Sequence, residues 1–425
     1  VTITTTRRKA RDVLERNDRG GYTIPTAALY PFQWNWDSAI TALGWLAVSE
    51  EARAWQEFER LFEGQWHNGM VPHIVFHEPA DSYFPGPEVW GCPHRPHTSA
   101  ISQPPLIASI LLRLVDEGKD KALAEARLAA LLPRVIAHHR WWYRDRDPEG
   151  SGLVCSYHPW ESGMDNSPQW DRPLAQVSPV DRPMVRRDTG LVAADQRPHQ
   201  YQYDRYLALV EKYRESNFDA ERLYRECPYR VLDVGIIAIL HRATEDLVTL
   251  CRDRLPHAEY ADLEEALERT RSAMQSLWHE ELGAFVSRDS RHQEILPVAS
   301  SASLLPLYAG LASPQQAERL AALSQRWLAQ APFGLASADP ASEQFEPQRY
   351  WRGPSWLHIN WLIALGFERY GMHRDAESMR LASQRCVDSA GYYEYFHSVT
   401  GQGCGGADFS WTAAMDVYWV SRDSQ

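Results

Sequence analysis

The stretch HPWESGMDNSPQW (158–170) sets Glu161 and Asp165 among Trp160, Trp170 and three helix breakers, Pro159, Gly163 and Pro168. A solvent loop has no need of tryptophan, and a core segment does not choose Glu, Asp and Asn. Local rules conflict in this way at functional sites. Glu394 has a similar setting, YYEYF, with Gly391 before it and a glycine cluster after it. A carboxyl drawn inward among aromatics has its pKa raised, as an acid or base catalyst requires. Two carboxyls flanking a glycosidic bond can hydrolyse it: one protonates the leaving oxygen, and the other activates water or attacks carbon. Asp165 and Glu394 are the best pair by environment. Glu161 and Asp37 are acids in comparable surroundings, suited to accepting from sugar hydroxyls. Taken alone, Asp165 before Asn-Ser-Pro equally suits a helix N-cap or an Asx-turn.

The same mixture of an acid, amide or Arg with aromatics recurs in LYPFQWNWDSA (29–39), SAISQPP (99–105), RYWRGPSWLHINW (349–361) and YYEYFHSVTGQGCGGADFSW (392–411). Seventeen Trp and nineteen Tyr are many for 425 residues. Tryptophan outside apolar stripes suits stacking on flat, weakly polar ligands such as sugar rings. In DQRPHQYQYDRYLALV (195–210), Arg197 precedes Pro198, where a helix is expected to begin. Free backbone N–H groups, a positive dipole end and a bidentate guanidinium together suit a carboxylate on the ligand. Tyr203 and Tyr206 offer hydroxyls beside it, and Tyr83 and Tyr350 are candidates for closing that side. The plainer alternative pairs Arg197 with Asp195 or Asp188 at the surface.

Helices must position these segments. Three- and four-residue apolar spacing predicts helices over 5–17, 37–49, 51–62, 100–116, 119–129, 131–146, 199–214, 218–225, 229–253, 258–278, 300–310, 314–329, 354–370, 373–386 and 408–420. The run VLDVGIIAIL is apolar nearly all round, which implies burial on more than one side. Extended pieces are expected only near LVCSYHP and AFVSRD. Long loops rich in Gly, Pro and aromatics occupy 18–36, 64–98, 147–198, 331–353 and 391–407, and such loops on a helical scaffold carry function. About six helix pairs with ornate loops fit an all-α toroid of helical hairpins, an (α/α)6 barrel with its functional loops at one end. A solenoid of helix pairs is the rival. No low-complexity linker divides the chain, so 1–425 reads as one domain with loop insertions at about 64–98 and 147–198.

The bulk properties narrow the partners. A net charge of −12 without a long Lys/Arg run argues against nucleic acid and anionic membranes. No apolar run reaches the ~18 residues of a spanning helix. The first residues lack the apolar segment of a signal peptide, so a cytoplasmic location is expected. The six cysteines form no CxxC pair and read as buried small hydrophobes. His67, His73, His77, His94 and His97 show no metal-ligand spacing, so structural or solvent-facing roles are expected, with no metal and no cofactor. The aromatic residues make a carbohydrate the expected partner. A homo-oligomer is compatible with the sequence, which does not set the oligomeric state.

HPWESGMDNSP, WNWDSA, YWRGPSW with its following NW, and EYF with GQGCGGADFSWTAA together resemble the motifs of glycoside hydrolase family 63. They are most similar to its compact bacterial branch, which includes mannosylglycerate and glucosylglycerate hydrolases; trehalases share a related ESG-x-D signature. The likeness runs from about residue 8 to 420, with the motifs in order. It implies an (α/α)6 barrel and inverting hydrolysis of a small soluble α-glucoside or α-mannoside, with Asp165 as general acid and Glu394 as general base. It further implies that Trp36, Asp37, Gln103, Trp160, Trp351, Gly353, Trp356 and Trp411 line the sugar subsite, with Tyr30 also binding substrate. Glycerate would then be the carboxylate for Arg197. A neutral-disaccharide α-glucosidase or trehalase-like enzyme is the nearer alternative. More distant are a helical-barrel epimerase, which works through paired histidines, and a non-catalytic sugar-binding toroid.

Overall fold

The computed structural model describes residues 3–181 and 186–421, so residues 182–185 of the 147–198 loop lie outside it. Helices dominate, as the apolar spacing predicts. Six of them are buried on nearly every side: Asn35–Ala47, Ile107–Glu117, Val234–Arg252, Leu305–Ala309, Leu357–Arg369 and Ser410–Met415. Each packs on the next in that order, and Ser410–Met415 packs back on Asn35–Ala47, closing the circuit. Amphipathic helices lie against them from outside. Glu51–Phe62 pairs with Asn35–Ala47, Lys121–Asp145 with Ile107–Glu117, Ala261–Ala273 with Val234–Arg252, and His373–Ala390 with Leu357–Arg369.

The differences from the sequence reading are local. The two helices expected over 119–129 and 131–146 are one, Lys121–Asp145, which accommodates Pro133 in its interior. The helix expected from residue 100 starts at Ile107, because Pro104 and Pro105 cannot join its hydrogen-bond ladder. The loop expected over 391–407 contains a hairpin, Tyr393–Phe396 paired with Gly403–Ala407. A strand reading GCGGA has almost no side chains to alternate, so period-two patterning could not reveal it. Further two- and three-residue strands, such as Gln33–Trp34 with Ile74–Phe76, are too short for any periodicity. No helix among the described residues is long and apolar enough to cross a membrane.

Candidate active site

Residues at or just before the starts of three of the buried helices converge with the long loops on one cavity. Trp36 and Asp37 come from the first turn of Asn35–Ala47, Gln103 from the segment before Ile107, and Trp411 from the start of Ser410–Met415. Loops supply Tyr30, Tyr83, Asp165, Arg197, Tyr350 and Trp351, the 3-10 helix Pro159–Ser162 supplies Trp160, helix Gln200–Glu215 supplies Tyr203, and the hairpin supplies Glu394. Thirteen sequence-predicted residues therefore meet at one place.

Asp165 sits in a turn between two 3-10 helices, Pro159–Ser162 and Pro168–Trp170. Neither cap position is Asp165, so the helix-cap reading fails. Gly163 turns the chain toward it with φ +67, and a Cβ there would meet the Trp36 indole at 2.6 Å. Backbone contacts hold the turn. Tyr206 Oη donates to the Asp165 carbonyl at 2.8 Å, and Asn166 Oδ1 accepts from the Trp351 N–H at 2.8 Å. The Asp165 carboxyl has no hydrogen-bonding side chain among the described residues. Burial raises its pKa to about 7, with Arg197 opposing and Glu394 adding to the rise.

Glu394 is provided for differently. Its Oε1 accepts from Tyr30 Oη at 2.8 Å, its Oε2 accepts from the Gly406 N–H at 3.2 Å, and Arg197 Nη1 lies 3.8 Å away. Burial still lifts its pKa above the ordinary value, but Arg197 and these donors hold it down. Two acids of one cavity thus differ in kind: one is poorly solvated and holds its proton, while the other is supplied with donors to its charged form. Asp37 is also buried, and burial together with the Glu394 charge raises its pKa well above the usual range.

Arg197 is paired with Asp188, one of the two partners the alternative reading named, but the pair lies in the cavity wall with Arg197 buried, and not at the surface. Nε pairs with Asp188 at 2.9 Å, while Nη1 donates to Tyr30 Oη at 2.8 Å and the guanidinium covers the Tyr350 ring at 4.3 Å. The helix behind it starts at Gln200 rather than at Pro198, with His199 in the capping position.

Several expected residues lie elsewhere. Trp356 does not line the cavity; it stacks behind Trp351 with ring centroids 3.8 Å apart and planes at 3°. Gly353 is absent from the wall too. Its N–H donates to Ser337 Oγ, and a Cβ there would meet the Glu346 carbonyl at 2.6 Å. Glu161 is fully buried, ion-paired with Arg146 and accepting from the Tyr157 N–H, which makes it a prop of the Asp165 segment instead of a sugar acceptor. Tyr206 spends its hydroxyl on Asp165 and also stays out of the wall.

Other wall residues were not expected to bind substrate: Trp34, Ser82, Arg187, Asp188 and His73 among them. Trp34 was within reach, since it opens the WNWD run. His73 is more instructive. Its Nδ1 lies 2.6 Å from Ser99 Oγ, which already accepts from the Ile74 N–H. Burial and nearby His158 keep the ring neutral. It is the single histidine among the described lining residues, against the carboxyls of Asp37, Asp165, Asp188 and Glu394. An epimerase floor of paired histidines is not what the cavity presents. No cluster of three or more His, Cys, Asp or Glu among the described residues is arranged to hold a metal ion.

Residues 30–412 match the model of the mannosylglycerate hydrolase MGH1-like glycoside hydrolase domain. The chain belongs to this family. It is 48% identical over 415 residues to mannosylglycerate hydrolase MGH1 of Selaginella moellendorffii, covering 97% of this chain and 85% of that protein. A crystal structure of a GH63 mannosylglycerate hydrolase from Thermus thermophilus, in complex with Tris and D-glycerate, superposes with a TM-score of 0.95 at 44% identity. That match covers 98% of this chain and all of the other. Glucosylglycerate hydrolase of Mycolicibacterium hassiacum is 35% identical, with 97% of each chain covered. The protein is a glycoside hydrolase.

Proposed function

We propose that the chain is an inverting α-glycosidase built as a single (α/α)6-barrel domain, hydrolysing mannosylglycerate or glucosylglycerate. The closed circuit of six buried helices with amphipathic helices outside supports the architecture. The observation that carries the mechanism is the unequal treatment of two carboxyls in one cavity. Asp165, with its pKa near 7, is the general acid and protonates the glycosidic oxygen. Glu394, supplied with donors to its anionic form, is the general base. It takes a proton from a water that attacks the anomeric carbon from the opposite face, so the C–O bond breaks as the new one forms. Trp36, Trp160, Trp351 and Trp411 offer aromatic faces to the sugar, and Asp37 and Gln103 bind its hydroxyls. On the leaving-group side, Arg197 takes the carboxylate, with Tyr30, Tyr83, Tyr203 and Tyr350 around it.

A hydrolysis screen of the purified protein tests this reading. Mannosylglycerate, glucosylglycerate, trehalose, kojibiose and nigerose are compared, and the best substrate is repeated with Arg197→Ala. Preference for a glycerate glycoside that collapses in the variant is expected. Cleavage of neutral disaccharides alone, indifferent to Arg197→Ala, would end the glycerate assignment.

A further inference from the structure

The hairpin that carries Glu394 is out of regular register at that residue. Tyr393 pairs with Ala407 and Tyr395 with Cys404, so Glu394 alone faces two residues, Gly405 and Gly406. This is a bulge with its first residue in the left-handed region, Gly405 at φ +71. A Cβ at Gly405 would collide with Glu394 Oε2, so the peptide rests directly against the carboxylate. The Gly406 N–H donates to Oε2 at 3.2 Å, while the Gly405 N–H points to another acceptor, Gln196 Oε1, at 3.0 Å. Gln196 is itself fixed, because its carbonyl accepts from Tyr395 Oη at 2.6 Å.

Adjacent residues thus govern the two oxygens of one carboxylate. Arg197 reaches Oε1 through Tyr30, at 2.8 Å for each step. Gln196 reaches Oε2 through two successive peptides, accepting from the Gly405 N–H while the Gly406 N–H donates to the carboxylate. We propose that Gln196 is a positioning residue for Glu394, holding the glycine bulge so that the Gly406 N–H meets the carboxylate. The same backbone segment that presents Arg197 to the leaving group then also aims the base. A two-glycine bulge has no side chains to hold its orientation, so an outside acceptor is what selects it. Gln196 does not line the cavity, and its side-chain oxygen meets the hairpin at the Gly405 N–H.

The inference rests on Glu394 being the base. The groups facing that carboxylate are Arg197, Tyr30, Tyr350, Tyr395 and the acids Asp37 and Asp165. All of them are retained in Gln196→Leu, which keeps bulk but removes the acceptor. The expected result is a ~10- to 100-fold fall in kcat with KM changed less than about threefold. The low-pH limb of the rate profile should move to higher pH, because a carboxylate that loses a donor holds its proton more tightly. Gln196→Glu restores an accepting oxygen and should recover part of the kcat. Gln196→Asn, too short to reach Gly405, should behave like Gln196→Leu and serves if the leucine variant does not fold. Unchanged kcat and low-pH limb in both Leu and Asn variants would overturn the proposal. So would a rise in KM alone, which would make Gln196 a support for Arg197 only. Wild-type protein that cleaves no α-glycoside would instead overturn the function on which the proposal rests.

Discussion

Tyr30 Oη donates to Glu394 Oε1 at 2.8 Å while accepting from Arg197 Nη1 at the same distance. The direct Arg197–Glu394 separation is 3.8 Å, so the phenol carries the hydrogen-bonded part of the interaction. Its own pKa is raised well above the ordinary value by burial, so it stays a neutral donor. One hydroxyl therefore ties the residue proposed to hold the leaving group to the residue proposed to activate water.

Removing that hydroxyl isolates the effect. Tyr30→Phe should cut kcat by ~10- to 100-fold, about 1.5–3 kcal/mol for a hydrogen bond to a charged group. The low-pH limb should rise as well, since Tyr30 holds the Glu394 pKa down. Steady-state kinetics across pH, with a thermal melt as a folding control, checks both.

The free enzyme should show a bell-shaped pH dependence of kcat/KM. As the proposed acid, Asp165 must be protonated, so activity should fall as pH rises through its pKa of about 7. As the proposed base, Glu394 must be ionised, so activity should fall as pH drops through a value above its ordinary 4.5. The two groups influence each other, so the limbs report the pair. Asp165→Asn should abolish the turnover that the high-pH limb describes.

The same carboxyl makes stability depend on pH. Asp165 is protonated more readily folded than unfolded, so its contribution is lost as pH rises from about 4 toward 7. Asp165→Asn should therefore melt a few degrees above wild type at pH 8, with the difference vanishing at pH 4. Calorimetry at both values reads this directly.

Much of this site is legible in the residues and some is not. Asp165 and Glu394 stand out because carboxylates among tryptophans, tyrosines and helix breakers obey no simpler rule. Glu161, three residues into the same motif, has an equally odd setting, and its buried partner Arg146 lies fifteen positions earlier on a helix end. Local context cannot tell those two acids apart; only the path of the chain does. Gln196 and His73 stay hidden for the same reason, since their roles depend on Gly405 and Ser99, which arrive from distant segments. The helices were readable from apolar spacing, and the glycine hairpin was not, having almost no side chains to read.

Arg197 should separate recognition from chemistry. Arg197→Lys keeps a positive charge but loses the planar fork that serves Asp188 and Tyr30 together. KM for the glycerate glycoside should rise at least ~10-fold, about 1.4 kcal/mol. An aryl glycoside without a carboxylate should lose much less. Equal losses on both substrates would place Arg197 with the base instead of the leaving group.

The most direct test follows the anomer released first. Proton NMR during hydrolysis of mannosylglycerate or glucosylglycerate resolves the α and β hexose before they equilibrate. Inversion predicts that the β anomer appears first with wild type, and that Asp165→Asn and Glu394→Gln release almost none. First appearance of the α anomer would contradict inversion, and undiminished hydrolysis by either variant would contradict the assigned pair.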